Sequence, residues 1–307
     1  MELEKQPTTE SAVEANQQKN SLGPWALAYR RFKKNKLAVA GVFMLAFILF
    51  IAVFADVIDQ GTDPTESDLY NIEAPMEGFG GEHILGTDSS GRDVFARLVH
   101  GSRVSLTIGY FAMFFTVLIG IVLGSLSGYY GGKVDGLIMR FTDIMLNFPF
   151  LLFVLTVVAI LQDINIMIFV AVIALTAWPA ITRIIRGTYL QLREQEFILS
   201  ARAIGCSDAR MIFRHLLPNA MGPIIVNATL AMATMIIVES GLSFLGFGIP
   251  QPTPTWGNMI TDATSPRIIQ NHPNIWLPPA IAIFMTVLAI NFIGDGLRDA
   301  LDPRSRK

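Results

Sequence analysis

The sequence predicts an all-α polytopic membrane protein with six transmembrane helices and both termini cytoplasmic. Two observations predict it. The 307 residues are 52% hydrophobic and only 16% charged, with a mean hydropathy of +0.48, and the apolar residues gather into long blocks rather than short periodic runs. The remaining charges are sorted by loop, so that basic residues collect on one side of the predicted bilayer.

Taken in order, the chain opens with "MELEKQPTTESAVEANQQKN", a polar tail without an apolar signal core, expected to be disordered. The first block, Leu37–Ala55, spans 19 residues and at about 1.5 Å per residue reaches the thickness of the hydrocarbon layer. Further spans are expected near Val104–Leu126, Met139–Leu161, Met167–Ile185, Met221–Val238 and Ile275–Ile293. Arg30, Arg31, Lys33, Lys34 and Lys36 precede the first span, whereas 56–91 holds no Lys or Arg. The N-terminus is therefore inside. On this count the Arg183–Arg214 stretch and the final "RDALDPRSRK" also lie inside, and Gly248–Asn274 lies outside. Arg92, Arg97 and Arg103 are the exception, and "GRDVFARLVHGSR" reads as an amphipathic helix at the outer interface. The organisation is then a tail over 1–23, a first span with outer loop and interfacial helix over 24–103, a transmembrane domain over 104–295 and a cytoplasmic tail over 296–307.

Between the fourth and fifth spans runs "EFILSARAIGCSDARMIFRHLLP", residues 196–218. Phe197, Ile198, Ala201 and Ile204 fall on one helical face, and Gly205 stands where a helix end needs left-handed backbone. Ser207 and Asp208 look like the cap of a second helix through Met211, Ile212, Phe213 and Leu216 that Pro218 ends. Such a knob suits either an interfacial hairpin on lipid headgroups or a docking element for a cytoplasmic partner.

Other features carry less chemistry. Lone Cys206 has no partner for a disulfide or metal cluster. "GTDSSGRD" at 86–93 lacks calcium-loop spacing and reads as a structured turn. His83, His100, His215 and His272 lack metalloenzyme spacing, and His215 is assigned to the cytoplasmic loop. Asp143, Asn147, Asn227 and Asn291 read as interhelical hydrogen bonders, and Glu239 as a wet residue near the outer end of the fifth span. "GGK" at 131–133 fails as a phosphate loop, because Ser127 replaces the first glycine and Val134 the Ser or Thr. An ion-coupled carrier finds few midplane charges, and an intramembrane enzyme finds no nucleophile and base. The substrate path has no signature.

Four stretches complete the reading: "FKKNKLAVAGV", "HILGTDSSGRDVFARLVHGSRVSL", "ESGLSFLGFGIPQPTPTWGNMI" and "NFIGDGLRDALDPR". With them, from Pro24 onward, the chain resembles the C-type permeases of oligopeptide and dipeptide ABC importers. Ala201, Gly205 and Leu217-Pro218 match the spacing of the cytoplasmic "EAA" loop of binding-protein-dependent permeases. Leu199 stands where that motif has Glu and Ser200 where it has its first Ala, so the acidic contact is missing while the glycine break is kept. The resemblance implies a type I ABC importer permease fold in the bacterial plasma (inner) membrane, moving peptides, or nickel or another peptide-like solute, into the cell. It implies as partners a homologous second permease, two P-loop ATPase subunits and an external peptide-binding protein, with membrane lipid around them and no nucleic acid. ATP and magnesium would sit in the ATPases, with no cofactor on this chain. The ATPase-coupling loop would comprise Glu196, Phe197, Leu199, Ser200, Ala201, Arg202, Ala203, Gly205, Asp208, Arg214, His215, Leu217 and Pro218. The outer 86–93 and 248–274 segments are expected to help receive the binding protein.

Overall fold

A computed structural model describes residues 23–67, 76, 78, 80, 83–161 and 164–302. Residues 1–22, most of the tail expected to be disordered, and residues 303–307 lie outside them. Among the described residues, five helices are long and apolar enough to cross a membrane, or six if one bent pair counts as a single span.

A short helix α1 (Pro24–Lys34) precedes α2 (Lys36–Val53), the first span. Asn35 separates them and caps α2, its side-chain oxygen accepting from the Leu37 and Ala38 amides at 3.1 and 3.2 Å. One face of α2 lies against the last helix, and Phe43, Phe47 and Phe50 on the rest of its surface are exposed, as lipid contact requires. After α3 (Ala55–Ile58) comes α4 (Val94–Tyr130), 37 residues long. The expected interfacial helix is not separate from the second span. Asp93 caps α4, accepting from the Ala96 amide at 2.9 Å, and the arginine-bearing segment is simply its first turns.

The third span departs further from expectation. In place of one helix over Met139–Leu161 there are two, α5 (Gly132–Asn147) and α6 (Phe150–Leu161), bent by 81°. Pro149 causes the break: a residue before proline is driven out of helical geometry, and Phe148 is extended at φ −77, ψ 128.

Helix α7 (Ile166–Arg193) supplies the fourth span. It is followed by α8 (Glu196–Ala203) and α9 (Asp208–Arg210), then a π turn (Met211–Leu216) that leads without interruption into α10 (Leu217–Phe244), the fifth span. Pro218 therefore opens this helix and does not end the one before it. A proline ring clashes with the carbonyl four residues earlier, and the wider turn relieves that clash; the Leu217 amide bonds the Ile212 carbonyl instead. Outside, α11 (Trp256–Ile260), a 3₁₀ turn (Thr261–Thr264) and α12 (Pro266–Asn271) lead to α13 (Pro273–Leu301). The last span thus continues helical into residues 296–301, assigned from sequence to a tail.

Helices α4 and α7 form the centre of the bundle, and glycines set their spacing. A Cβ on Gly120 would come within 2.5 Å of Ile181, one on Gly124 within 2.8 Å of the Thr182 carbonyl oxygen, and one on Gly128 within 2.9 Å of the Arg186 carbonyl oxygen. Small residues at every fourth position let two backbones approach where no water drives association. Gly124→Leu should therefore separate the helices, because a backbone carbonyl cannot yield as a flexible side chain can, at a cost of about 1–3 kcal/mol or more. Detergent extraction followed by size exclusion checks this against Gly136→Leu, whose Cβ would meet nothing within 4 Å. The Gly124 variant should lose most of its monodisperse fraction while the Gly136 variant keeps it.

Candidate functional site

The cytoplasmic loop folds as a small body continuous with the bundle. Helix α8 ends in a two-bond glycine motif: Cys206 N–H donates to Ala201 O at 3.1 Å and Gly205 N–H to Arg202 O at 3.0 Å, with Gly205 left-handed at φ +79. The apolar face expected of Phe197, Ile198, Ala201 and Ile204 splits in two. Ile198 and Ala201 are buried with Met211, Ile212 and Leu216 against Ile185 and Tyr189 of α7. Ile204, 87% exposed, and the less exposed Phe197 and Leu199 point outward. The reason is geometric: Ile204 lies past the last helical residue, where the chain turns at Gly205, and no longer follows the helix face.

Around this projection Glu196, Ser200, Arg202, Ala203, Asp208, Arg214 and Pro218 are exposed, while His215 and Leu217 are half-buried. Ser207 occupies the cap position of α9, but its side chain makes no cap bond. The polar anchor of the loop is one that sequence reasoning missed. Tyr129, at the end of α4, donates its hydroxyl to Asp208 Oδ1 at 2.6 Å, and the Arg202 guanidinium carbon stands 5.9 Å from its ring centroid. Nearby, Asp135 of α5 takes Arg186 Nε and Nη2 of α7 at 2.5 and 2.6 Å, with Ser127 Oγ at 2.5 Å. Arg193 Nη1 donates to the Tyr129 carbonyl at 3.3 Å. The loop is thereby tied to the cytoplasmic end of α4, which the Asp135 and Arg193 contacts in turn join to α5 and α7.

A second feature lies deeper. The bend at Phe148–Pro149 opens a cavity of about 590 Å³ between α4, α5, α6, α7 and α10. Phe148, Phe150 and Phe153 line it from the bend, Thr116 from α4, Thr176 from α7, and Asn227 and Thr234 from α10, with no charged side chain among the described residues of its wall. Asn227, expected to bond between helices, instead donates to the Pro223 carbonyl of its own helix, as Asn147 does to Asp143 and Asn291 to Val287. Only Asp143 joins helices, through Arg183 Nη2 at 2.5 Å. That pair lies toward the cytoplasm from the bend. The one sequence signal for this cavity was Phe148-Pro149 inside an apolar run.

On the outer side the 86–93 turn and the 248–264 segment close over the bundle together. Asp88 Oδ2 pairs with Arg92 Nε at 2.8 Å and Arg97 Nε at 3.4 Å. Gln251 Oε1 accepts from Arg92 Nη1 at 2.7 Å and Arg97 Nη2 at 3.1 Å. Arg97 Nη1 adds the Pro64 and Pro252 carbonyls at 3.2 Å each. Arg97 is 1% exposed, so these arginines are not the headgroup-facing charges of an interfacial helix. Ser89 Oγ donates to Asp262 Oδ2 at 3.0 Å, and burial pushes the Asp262 carboxyl above its usual range against that bond. Glu239, expected to be wet, is fully buried. It accepts from Ser243 Oγ at 2.9 Å, Ser240 Oγ at 3.2 Å and Ser105 Oγ at 3.3 Å, because the outer segment folds back over it.

Comparison with known proteins decides the family. Residues 120–307 match the model of the binding-protein-dependent transport system inner membrane component, and residues 23–75 that of the N-terminal TM domain of oligopeptide transport permease C. The chain belongs to this family of inner membrane transport components. It is a multi-pass membrane permease of the ABC importer type. Its relatives include the dipeptide transport system permease protein DppC of Alkalihalophilus pseudofirmus, 41% identical over 94% of this chain and 93% of that one. The oligopeptide transport system permease protein OppC of Bacillus subtilis is 38% identical over 98% and 97%. The glutathione transport system permease protein GsiD of Pectobacterium atrosepticum is 40% identical over 92% and 91%. Among solved structures, the MetNI methionine ABC transporter shares the permease fold, with a TM-score of 0.56 and 20% identity over 67% of this chain and 96% of that one.

Proposed function

We propose that this chain is the pore-forming permease of an ATP-driven importer of dipeptides or oligopeptides. It works beside a homologous second permease, two P-loop ATPase subunits and an external peptide-binding protein. ATP and magnesium are held by the ATPases, and this chain hydrolyses nothing itself. The observation that carries the coupling role is the apolar projection of Ile204, Leu199 and Phe197 from a loop whose opposite face is fixed in the bundle. An exposed apolar centre with a charged rim has the composition of a protein interface, and a body held to α4 by Tyr129 and packed on α7 can pass a partner's movement into the membrane. The peptide cargo is supported by the names of the relatives above.

The test is mild-detergent purification of the tagged chain from its native membrane with mass spectrometry of what accompanies it. A second permease, P-loop ATPases and a peptide-loaded binding protein are expected. Ile204→Asp should reduce ATPase recovery at least about tenfold, the range of a central interface residue, while the second permease is retained. Gradient-driven uptake by the chain alone, with no ATPase attached, would overturn the reading.

A further inference from the structure

We propose that the cavity at the bend is a binding station for an uncharged stretch of the passing peptide. It takes an apolar side chain among Phe148, Phe150 and Phe153 and one backbone amide on its polar wall. This inference rests on the peptide-import reading and adds to it where the cargo pauses and which cargo chemistry is favoured there.

Size and lining come first. About 590 Å³ falls within the roughly 300–1,000 Å³ of sites that enclose small ligands. A wall of aromatic and aliphatic side chains with a few hydroxyl and amide groups suits a group with an apolar body and a polar handle. Among the described residues no charged one lines the cavity, so a Lys, Arg, Asp or Glu side chain would enter without a counter-charge there and lose its hydration. A neutral side chain meets no such barrier.

The second observation is a hydroxyl left without a partner. Threonines in membrane helices satisfy themselves on the carbonyl four residues back, and here Thr142, Thr176, Thr229, Thr234 and Thr286 all do so. Thr116 does not: it is fully buried, and its hydroxyl has no hydrogen-bond partner among the described residues, yet it borders the cavity. Thr182 shares the condition but stands in the closed seam opposite Gly120 and Gly124, whereas Thr116 belongs to the cavity wall. A buried hydroxyl without a protein partner calls for another one, and a ligand atom that enters the wall beside Thr116 would supply it. Across the cavity, Asn227 uses its Nδ2 on the Pro223 carbonyl, which leaves its Oδ1 as an acceptor. One donor and one acceptor are the complement of a peptide amide, whose carbonyl would take the Thr116 proton and whose N–H would meet Asn227.

The exit is also polar. The Asp143–Arg183 pair, with both side chains about half exposed, lies toward the cytoplasm from the cavity, so a segment leaving the aromatic site passes next to charge and water.

The test uses the complete transporter reconstituted in liposomes with its binding protein, and a peptide carrying a benzoyl-phenylalanine photoprobe. Adducts are expected on residues 145–153 and 227–238, displaced by excess unlabelled neutral peptide. Thr116→Val should lower the maximal uptake rate of neutral peptides about fivefold, the range of one hydrogen bond, without changing the half-saturating concentration of loaded binding protein. Thr234→Asp should shift the rate ratio toward Lys-containing over neutral peptides of equal length, a change that a merely structural defect would not produce. Peptide uptake with no adduct in either segment, with labelling by a photoactivatable lipid only, or with selectivity unmoved by Thr234→Asp, overturns the cavity site and leaves the importer reading standing. Failure of the native complex to take up any peptide overturns both.

Discussion

Replacing Arg97 by Met should lower the melting temperature of the purified protein by roughly 5–10 °C, the scale of about 3 kcal/mol in a chain of this size. The reasoning starts from burial. Arg97 is 1% and Asp88 4% exposed, so neither charge is compensated by water. A Met side chain fills much of the volume but leaves Gln251 Oε1 and the Pro64 and Pro252 carbonyls with fewer donors, and leaves Asp88 with the Arg92 guanidinium and the Ser90 and Arg92 amides. Removing one member of a buried pair costs more than the pair contributes, because its partner stays desolvated. Arg92 still holds Asp88 at 2.8 Å, which keeps the expected cost at the lower end of that range. Arg97→Lys should recover little, since the three donors of one compact ammonium cannot reach the four acceptors, Asp88, Gln251 and the Pro64 and Pro252 carbonyls, that are placed around a planar fork. Arg103→Met is the control: Arg103 pairs with Asp56 at 3.0 Å and donates to the Ala52 and Val53 carbonyls at 3.0 and 3.3 Å, but its side chain is 43% and that of Asp56 68% exposed, so water can replace what is lost and a smaller change is expected. A native melting curve for Arg97→Met would mean that the outer segments are held by packing alone and that the ion cluster is incidental.

That cluster marks where sequence reasoning ran out. Most of the spans were legible because a bilayer demands long apolar runs, and the side assigned to each loop rests on the sorting of Lys and Arg by translocation. Gly205 was legible as a helix stop because left-handed backbone narrows the choice of residue. What failed depended on contacts far apart in the chain. Arg97 and Glu239 looked like interface charges because nothing in their neighbourhoods announces that the 248–260 segment folds back over both. Tyr129, 79 residues from Asp208, carries no local sign that it anchors the loop. Two errors had local signals that were outweighed. Phe148-Pro149 lay inside an apolar run whose length suited a single span, and Pro218 was read as a stop when a proline near the start of a helix is equally a beginning. Ile204 was placed on a helix face one residue beyond where that helix ends.

The second large effect is expected at Tyr129. If the cytoplasmic loop transmits the ATPase subunits' movement, the Tyr129–Asp208 hydrogen bond is the direct polar link between that loop and α4, which runs from there to the outer surface. Tyr129→Phe deletes one oxygen and keeps the ring beneath Arg202, so packing and the cation–π contact survive. A hydrogen bond to a charged acceptor contributes about 1.5–3 kcal/mol, and the exposure of Asp208 places this one at the low end, equivalent to roughly tenfold. The expected result in the reconstituted complex is a fall of about that size in peptide imported per ATP hydrolysed, with substrate-independent hydrolysis and ATPase recovery unchanged. Asp208→Asn retains an oxygen acceptor for the tyrosine hydroxyl and should fall between the native protein and Tyr129→Phe. A purely structural role would lower the melting temperature and the yield of complex but leave the ratio of transport to hydrolysis in the surviving molecules untouched. A native ratio in Tyr129→Phe would therefore place transmission in the apolar contact of Ile198, Met211 and Leu216 with Ile185 and Tyr189, and would reduce the hydroxyl bond to a local brace.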